Sequence, residues 1–297
     1  MNLDDENESS NIIDRRGESG GGGGGFRLPI GGGKLGIGGM LVVGVIALLL
    51  GQNPLEMIGA VSGSGVGGPG VGQPQADAPA APAALTGEHD KFIAKVLGST
   101  ERTWSAVFKD QVGEPYPQPK LVLFSEAVSS GCGPANSGMG PFYCPADRDV
   151  YLDASFFEEL SRRFGAPGDF AAAYVIAHEV GHHVQTVLGI SDQVQKARAG
   201  GDEVRSNALS VRQELQADCF AGVWAFHNRD LLEAGDIEEG LRAAQAIGDD
   251  TLQRQAGRGV NPESFTHGSS AQRMRWLQRG LENGQMSACD TFKARTL

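Results

Sequence analysis

The chain is short of basic residues. Its 297 residues include 25 Lys and Arg against 36 Asp and Glu, which gives a formal net charge of −11. A protein that binds a phosphate backbone needs a cluster of positive side chains, and the balance here is acidic. We therefore expect no nucleic-acid partner.

Cysteine is also scarce, with Cys132, Cys144, Cys219 and Cys289 as the full set. No two of them have the short Cys-x-x-Cys spacing of a structural zinc site. An even number of cysteines outside the cytoplasm favours disulfides, and four cysteines allow three pairings. We favour Cys132–Cys144, which would close a Gly- and Pro-rich loop, together with Cys219–Cys289. A free buried thiol at Cys219 is the alternative, because this residue lies in an apolar helical stretch.

Long apolar runs are absent except for one near the amino terminus. Residues 35–51 carry no charge, and at about 1.5 Å per residue their length is near the lower limit for crossing a bilayer. We predict a transmembrane helix at residues 35–52. The polar, glycine-rich residues 1–34 predict a disordered tail, and the Gly, Pro and Ala of residues 53–86 predict a linker to a folded domain at residues 87–297.

A cleaved signal peptide and a buried core helix are the alternatives for the apolar run. A signal peptide normally has a shorter basic leader, and the Gly-rich flanks leave a core helix no nearby partner. Basic residues precede the run at Arg15, Arg16, Arg27 and Lys34, and none follows before Lys91. The positive-inside rule then predicts a cytoplasmic amino terminus and a folded domain outside the cytoplasm.

Periodicity predicts a mostly helical domain. Apolar residues recur at helical spacing in residues 89–110, 211–224 and 271–282, whereas residues 120–124 and 149–153 are short apolar runs typical of strands. We expect the Val150–Leu152 stretch to be an edge strand that could pair with an extended peptide.

The pattern His-Glu-x-x-His occurs at residues 178–182. On an α-helix His178 and His182 lie one turn apart on the same face and can offer two imidazoles to one ion, usually zinc. Glu179 would lie beside the open position of the metal, where its carboxylate can take a proton from a bound water. Two surface histidines are the alternative, but residues 171–177 are nearly all apolar, which indicates a buried helix. His183 points off this face and is interpreted as a packing or supporting residue.

A second apolar helix, residues 211–224, carries Glu214 and Asp218 on one face. Buried carboxylates are costly unless something compensates them, and a metal would do so. His-His-Glu is an established zinc set, so we predict Glu214 as the third ligand and Asp218 as the acceptor for the second N–H of a ligating histidine. Asp218 or His227 as the direct ligand, or two solvated carboxylates, are the alternatives.

His267 lies just before the predicted helix at residues 271–282, and Arg273 follows six residues later. Both are candidates for stabilising the oxyanion. A loop histidine and a solvated arginine are the simpler interpretation of these two residues alone.

Taken together, the motifs resemble a known group of enzymes. The segments His178-Glu179-x-x-His182, Glu214-x-x-Ala217-Asp218 and Thr266-His267-x5-Arg273 resemble gluzincin-type membrane metallopeptidases such as HtpX. The chain is most similar to the bacterial neutral zinc metallopeptidase family, which shares the Arg15-Arg16-Gly17 element and the loop that contains Cys132 and Cys144.

The resemblance implies one zinc ion per chain held by His178, His182 and Glu214, with Glu179 as catalytic base and Asp218 as the residue that orients a ligand. It also implies that His267 and Arg273 contact the substrate or the oxyanion. The larger group usually has proline at the position of Gly268, so the geometry of this loop is left open.

We therefore expect an α+β, mostly helical zincin-like domain with a small sheet, preceded by one transmembrane helix. The expected function is that of a membrane-anchored zinc metalloendopeptidase on the periplasmic side of the bacterial inner membrane, hydrolysing peptide bonds of proteins or peptides. The alternative is a membrane-tethered, non-catalytic zinc-binding scaffold, which a fourth ligand from His183, Asp218 or His227 would favour. The sequence does not specify the oligomeric state.

Overall fold

The computed structural model describes residues 1–17, 87–153, 155–162 and 165–297. The predicted transmembrane helix at residues 35–52 and the linker at residues 53–86 lie outside these ranges. Within the described ranges, none of the helices combines the length and the apolar character that a membrane span requires.

Helices make up most of the domain, as predicted. Their bounds are α1 Glu88–Val107, α2 Phe156–Arg162, α3 Asp169–Val187, α4 Ile190–Ala199, α5 Glu203–His227, α6 Asp236–Ala246, α7 Asp249–Gln255 and α8 Ser270–Asn283. A π-helical turn, Phe108–Val112, extends α1. The helices predicted at residues 89–110, 211–224 and 271–282 correspond to α1 with this turn, to the second half of α5 and to α8.

A small sheet lies beside the helices. Its strands are β1 Ile12–Asp14, β2 Leu121–Phe124, β5 Phe142–Cys144 and β6 Asp149–Asp153, in the order β1-β2-β6-β5. β1 and β6 both run parallel to β2, and β5 is antiparallel to β6. A separate hairpin consists of β3 Ala127–Ser130 and β4 Gly133–Asn136. The two strands predicted from apolar runs are therefore present as β2 and β6.

The expectation that Val150–Leu152 forms an edge strand is wrong. β6 pairs with β2 on one side, with Leu123 opposite Leu152, and with β5 on the other, with Phe142 opposite Tyr151. β6 is buried from Val150 to Asp153, and a strand that is covered on both faces reads as a continuous apolar run, which is the pattern that β6 has. The edge of the sheet on this side is β5.

The amino-terminal residues correct a second expectation. Residues 1–17, predicted to be part of a disordered tail, contain strand β1, and the side chains of Met1, Leu3 and Ile12 are buried in the main core. The tail is mostly polar, so these few apolar side chains do not stand out in the sequence. A strand of three residues also depends on its neighbour for stability, and its own sequence does not predict it.

The core is centred on α3 and α5, and α5 crosses α8 at very short range. A Cβ on Gly222 of α5 would overlap the Leu277 carbonyl oxygen, and a Cβ on Gly280 of α8 would overlap the Cys219 carbonyl oxygen. The two backbones can meet only because both positions are glycine. This crossing brings the start of α8, which carries Arg273, against the helix that carries Asp218.

Two disulfides have the predicted pairing. Cys132–Cys144 joins the end of the β3–β4 hairpin to β5, and Cys219–Cys289 joins α5 to the carboxyl-terminal segment. Cys219 is therefore not a free thiol.

Candidate metal centre

The helices α3 and α5 approach each other closely at Gly181, the fourth residue of the His-Glu-x-x-His pattern. A Cβ at this position would lie 3.0 Å from the carbonyl oxygen of Ala217 and 3.1 Å from its Cα. The absence of a side chain here lets the histidine face of α3 lie against the carboxylate face of α5.

Three of the predicted side chains meet at this contact. His178 Nε2 lies 3.2 Å from Glu214 Oε2, and His182 Nε2 lies 3.5 Å from Glu214 Oε1. One ligand atom from each of the three residues lies within 4.8 Å of the other two. Two imidazole nitrogens and one carboxylate form a set that zinc takes in catalytic sites. The side chains present therefore fit a zinc ion.

Both imidazoles are fixed through their other ring nitrogen. His178 Nδ1 donates to Asp218 Oδ1 at 2.8 Å, and His182 Nδ1 donates to Gln185 Oε1 at 2.9 Å. Gln185 is fully buried and its amide donates to the Gln213 carbonyl oxygen at 2.7 Å. These bonds hold the rings so that each Nε2 faces Glu214, where a metal would bind. The sequence reasoning identified Asp218 but missed Gln185, although its position three residues after His182 puts it near that ring.

Asp218 is the centre of a buried network. Its side chain is fully buried and accepts hydrogen bonds from Tyr174 Oη at 2.6 Å and from both Nε and Nη2 of Arg273 at 2.9 and 2.8 Å. Burial alone would raise the pKa of Asp218, but the Arg273 guanidinium and His178 hold it well below its usual range. The carboxylate that orients His178 is therefore kept ionised.

Arg273 lies elsewhere than expected. It was predicted to contact the substrate or the oxyanion, but its side chain is only 3% exposed and its guanidinium lies behind His178, bonded to Asp218. A buried carboxylate needs a paired cation, and Arg273 supplies it. Its place is that of a residue that acts through Asp218 and His178.

Glu179 is buried beside the two histidines. Burial raises the pKa of the Glu179 carboxyl, and the charges of His178 and His182 act in the opposite direction. A carboxyl group whose pKa is raised toward neutrality is suited to accept a proton and to return it.

The charges of the candidate ligands shift one another's pKa values. Burial would lower the pKa of His182, but the Glu214 carboxylate raises it to about 9. Burial would likewise raise the pKa of Glu214, yet the positive charges of His182 and His267 hold it well below its usual range. Glu214 is therefore ionised, as a metal ligand must be.

His267 is held by a carboxylate that the sequence reasoning missed. Asp249 Oδ2 accepts the backbone N–H groups of Thr266, His267 and Gly268 at 2.8, 2.7 and 3.0 Å. Asp249 Oδ1 lies 3.4 Å from His267 Nδ1. The polar residues 249–259 predict only a loop with a short helix, and no spacing pattern links Asp249 to a histidine that far along the chain. The contact positions His267 where it interacts electrostatically with Glu214.

The backbone conformation explains why glycine, and not proline, stands at position 268. Its φ is +96°, a backbone conformation that proline cannot adopt because its ring fixes φ near −65°. The chain therefore turns differently after His267 than it would with the proline of the larger group, and the three N–H groups bound by Asp249 include that of Gly268 itself.

Comparison with known proteins identifies the family of this chain. The model of a family described as Putative neutral zinc metallopeptidase matches residues 1–292. The chain belongs to this family. The uncharacterized protein YpfJ of Escherichia coli K12 is 46% identical over 290 residues, covering 96% of each chain. The uncharacterized protein Mb2605 of Mycobacterium bovis is 42% identical over 221 residues, which is 70% of this chain and 73% of that protein. No solved structure gives a significant match.

For a member of a zinc metallopeptidase family, a fourth protein ligand would close the site. His183 is only 1% exposed and bonds away from the site, with Nε2 donating to the Pro117 carbonyl oxygen at 2.6 Å and Nδ1 accepting from Tyr143 Oη at 3.2 Å. His227 Nε2 donates to the Gly284 carbonyl oxygen at 2.9 Å. Among the described residues, the group of His178, His182 and Glu214 contains no fourth histidine, cysteine or carboxylate.

Proposed function

We propose that this metallopeptidase-family chain is an active zinc-dependent endopeptidase. The observation that carries the proposal is the three-residue ligand set, with Glu179 next to His178 and with no fourth ligand among the described residues. Catalytic zinc sites have three protein ligands and an open position, whereas structural sites are closed by four. One zinc ion per chain would be held by His178, His182 and Glu214.

Each residue around the metal would have a separate role in the reaction. Zinc would polarise the scissile carbonyl and lower the pKa of a bound water to about 7. Glu179 accepts the proton from the attacking water and passes it to the leaving amine. Asp218 and Gln185 keep the two imidazoles in the tautomer that can bind the metal, and Arg273 keeps Asp218 ionised.

The sheet offers a place for a protein or peptide substrate. β5 is an edge of the sheet and packs against α3, and Tyr143 of β5 is bonded to His183, the neighbour of His182. An extended peptide that pairs with an edge strand gains main-chain hydrogen bonds. We propose that substrate lies along Phe142–Cys144 instead of along β6.

We also propose that the domain works outside the cytoplasm and that the apolar residues 35–52 associate with the bacterial inner membrane. The two disulfides support an oxidising compartment, since such bonds are rare in the cytoplasm. The apolar character of residues 35–51 supports membrane attachment.

The test is the Glu179→Gln variant of the full-length protein. Zinc content is measured by elemental analysis, and cleavage is measured on an unfolded protein substrate. Both forms should bind one zinc ion, because the substitution leaves the three ligands intact. The variant should cleave at least about 100-fold more slowly, because the general base is lost.

Two further measurements test whether the wild-type cleavage depends on zinc. A chelator should abolish wild-type cleavage, and added zinc should restore it. The endopeptidase proposal fails if wild type and variant both hold zinc and cleave at the same rate. It also fails if neither cleaves any unfolded substrate, and the non-catalytic scaffold would then take its place.

A further inference from the structure

The amino-terminal segment, residues 1–17, is joined to the catalytic domain by strand pairing. β1 lies parallel to β2, with Ile12 opposite Leu121. The Leu121 N–H donates to the Asn11 carbonyl oxygen at 2.9 Å, and the Arg15 N–H donates to the Leu123 carbonyl oxygen at 2.8 Å. Without this segment β2 would present an unpaired edge whose four residues are all buried in the structure.

Side chains of the segment satisfy a buried acid of α1. Glu101 is 9% exposed, and its Oε1 accepts hydrogen bonds from Ser9 Oγ and Asn11 Nδ2, both at 2.7 Å. A buried carboxylate that loses its donors costs more free energy than the bonds themselves contribute. Glu101 of α1 therefore depends on this segment for its hydrogen-bond donors.

A glycine on α1 marks where the segment crosses. A Cβ on Gly98 would overlap the carbonyl oxygen of Asn7, and Ser9 N–H donates to the Ala94 carbonyl oxygen at 3.0 Å. Glycine within a helix costs about 0.5–1 kcal/mol relative to alanine. The close passage of the segment explains why glycine stands here.

The segment is fixed again at its far end. Arg16 Nη1 and Nη2 donate to the two oxygens of Asp90, in the first turn of α1, at 2.7 and 2.8 Å. Arg15 Nη1 donates to the Ser129 carbonyl oxygen at 3.2 Å. The two arginines that we counted toward a cytoplasmic amino terminus thus contact the domain.

We propose that residues 1–17 are a permanent part of the catalytic domain and lie on the same side of the membrane as that domain. A single crossing anywhere in residues 18–86 would place about 30 Å of hydrocarbon between β1 and β2. A swap of β1 between two chains does not remove this conflict. If all chains insert in one orientation, every β1 lies on the opposite side of the membrane from every β2. A cytoplasmic amino terminus with an external domain is incompatible with these contacts.

Labelling of the full chain in its host tests the topology. The four native cysteines are in disulfides, so a single new cysteine reports its own position. Glu8→Cys places a thiol at an exposed site of the segment, and Lys196→Cys places one at an exposed site of the domain. Spheroplasts are treated with a membrane-impermeant maleimide before or after lysis.

The two variants should react alike in intact spheroplasts, either both labelled or both protected. If Lys196→Cys is labelled in intact spheroplasts and Glu8→Cys only after lysis, the proposal is overturned. The reverse pattern would overturn it equally. The result does not depend on catalysis, so it is independent of the test of Glu179.

Hydrogen exchange of the purified full-length protein tests the docking itself. The amides of residues 9–15 should exchange slowly in the wild type. Gly98→Ala should speed their exchange at least about tenfold, because the new methyl displaces the crossing chain. Gly200→Ala, where a Cβ would meet nothing within 4 Å, is the matched control and should leave the exchange unchanged.

Two results would contradict docking. One is wild-type exchange of residues 9–15 as fast as in a free peptide. The other is an unchanged rate in a folded Gly98→Ala variant.

Discussion

At the scale of single residues, the site depends on carboxylates that do not touch the metal position. Asp218 bonds to His178 and is matched by Arg273, and Asp249 gathers three backbone N–H groups of the loop that carries His267. Both acids are buried, and each holds one histidine of the site: Asp218 bonds to His178 Nδ1, and Asp249 accepts the backbone N–H of His267. Such supporting groups set the orientation of ligands and of catalytic side chains.

We predict that Asp249→Asn lowers kcat/KM by about 10- to 100-fold without loss of zinc, because supporting groups at metal sites typically contribute that much. The amide cannot supply a charge to the three N–H groups or to His267. Asp192→Asn, a change at an exposed position of α4, is the control. Zinc content and peptide cleavage are measured on the same preparations. Zinc loss in parallel with activity would show that Asp249 supports zinc binding and does not act through His267 alone.

The buried His183 gives a prediction about pH. Burial lowers the pKa of His183 to about 4, below the value of about 6.5 in an unfolded chain. The unfolded chain therefore binds a proton more readily, so stability falls as the pH drops from about 6.5 to about 4 and the contribution then levels off. Between pH 7 and pH 5 this single group should cost about 2 kcal/mol.

His183→Gln removes the titrating group while keeping a side chain that can donate to the Pro117 carbonyl oxygen. The free energy of unfolding is measured for both proteins at the two pH values. The wild type should lose about 2 kcal/mol more than the variant, and parallel losses would show that His183 is not the group responsible.

Residues within one helix were the predictable part of the site. His178, Glu179 and His182 follow from a helical repeat, and Glu214 with Asp218 follows from the cost of carboxylates on an apolar helix. Contacts between elements were not predictable in the same way. The sequence could place Arg273 near the site by resemblance, but only the crossing of α5 and α8 shows that it is buried and pairs with Asp218.

At the scale of elements, the distance between α3 and α5 sets the distance between ligands. We predict that Gly181→Ala weakens zinc binding, because the new Cβ would lie 3.0 Å from the Ala217 carbonyl oxygen and would push the histidines away from Glu214. Alanine favours an isolated helix by about 1 kcal/mol, so thermal stability alone would be a poor reporter. Competition with a chelator measures the zinc affinity directly.

The expected loss of zinc affinity for Gly181→Ala is about tenfold or more, since overpacking of this kind costs about 1–3 kcal/mol. Gly200→Ala, at a position with open space, should keep the wild-type affinity. Equal affinities in the two variants would mean that the helices accommodate the methyl group without moving the ligands.

The sheet shows that a sequence pattern can predict a strand but not its pairing partners. An uninterrupted apolar run predicted β6 correctly as a strand, but such a run reports burial of both faces and does not show which strands pair on either side, so the edge assignment was wrong. β1 could not be predicted, because three residues in a polar segment carry no periodicity and their partner is β2, at residues 121–124. Pairing between distant segments depends on the assembled domain.

At the scale of the whole molecule, cross-links join distant parts of the chain around the site. Cys219–Cys289 ties α5, which also carries Glu214, to the carboxyl-terminal segment across 70 residues. The same contact includes Gln216 Nε2 bonded to the Cys289 carbonyl oxygen at 3.0 Å and Thr291 Oγ1 bonded to the Arg212 carbonyl oxygen at 2.6 Å. Cys132–Cys144 closes only 12 residues, next to the β5 edge.

We predict that the Cys219–Cys289 disulfide contributes more to stability and that the Cys132–Cys144 disulfide contributes more to substrate binding. Loop entropy gives about 4 kcal/mol for the longer loop and about 3 kcal/mol for the shorter one. The Cys219→Ala/Cys289→Ala protein should therefore unfold at lower denaturant than the Cys132→Ala/Cys144→Ala protein. The latter should show the larger rise in KM, because it frees the strand on which we place the substrate. Denaturant unfolding and peptide kinetics at one temperature distinguish the two, and a rise in KM confined to the Cys219 and Cys289 variant would move the substrate site away from β5.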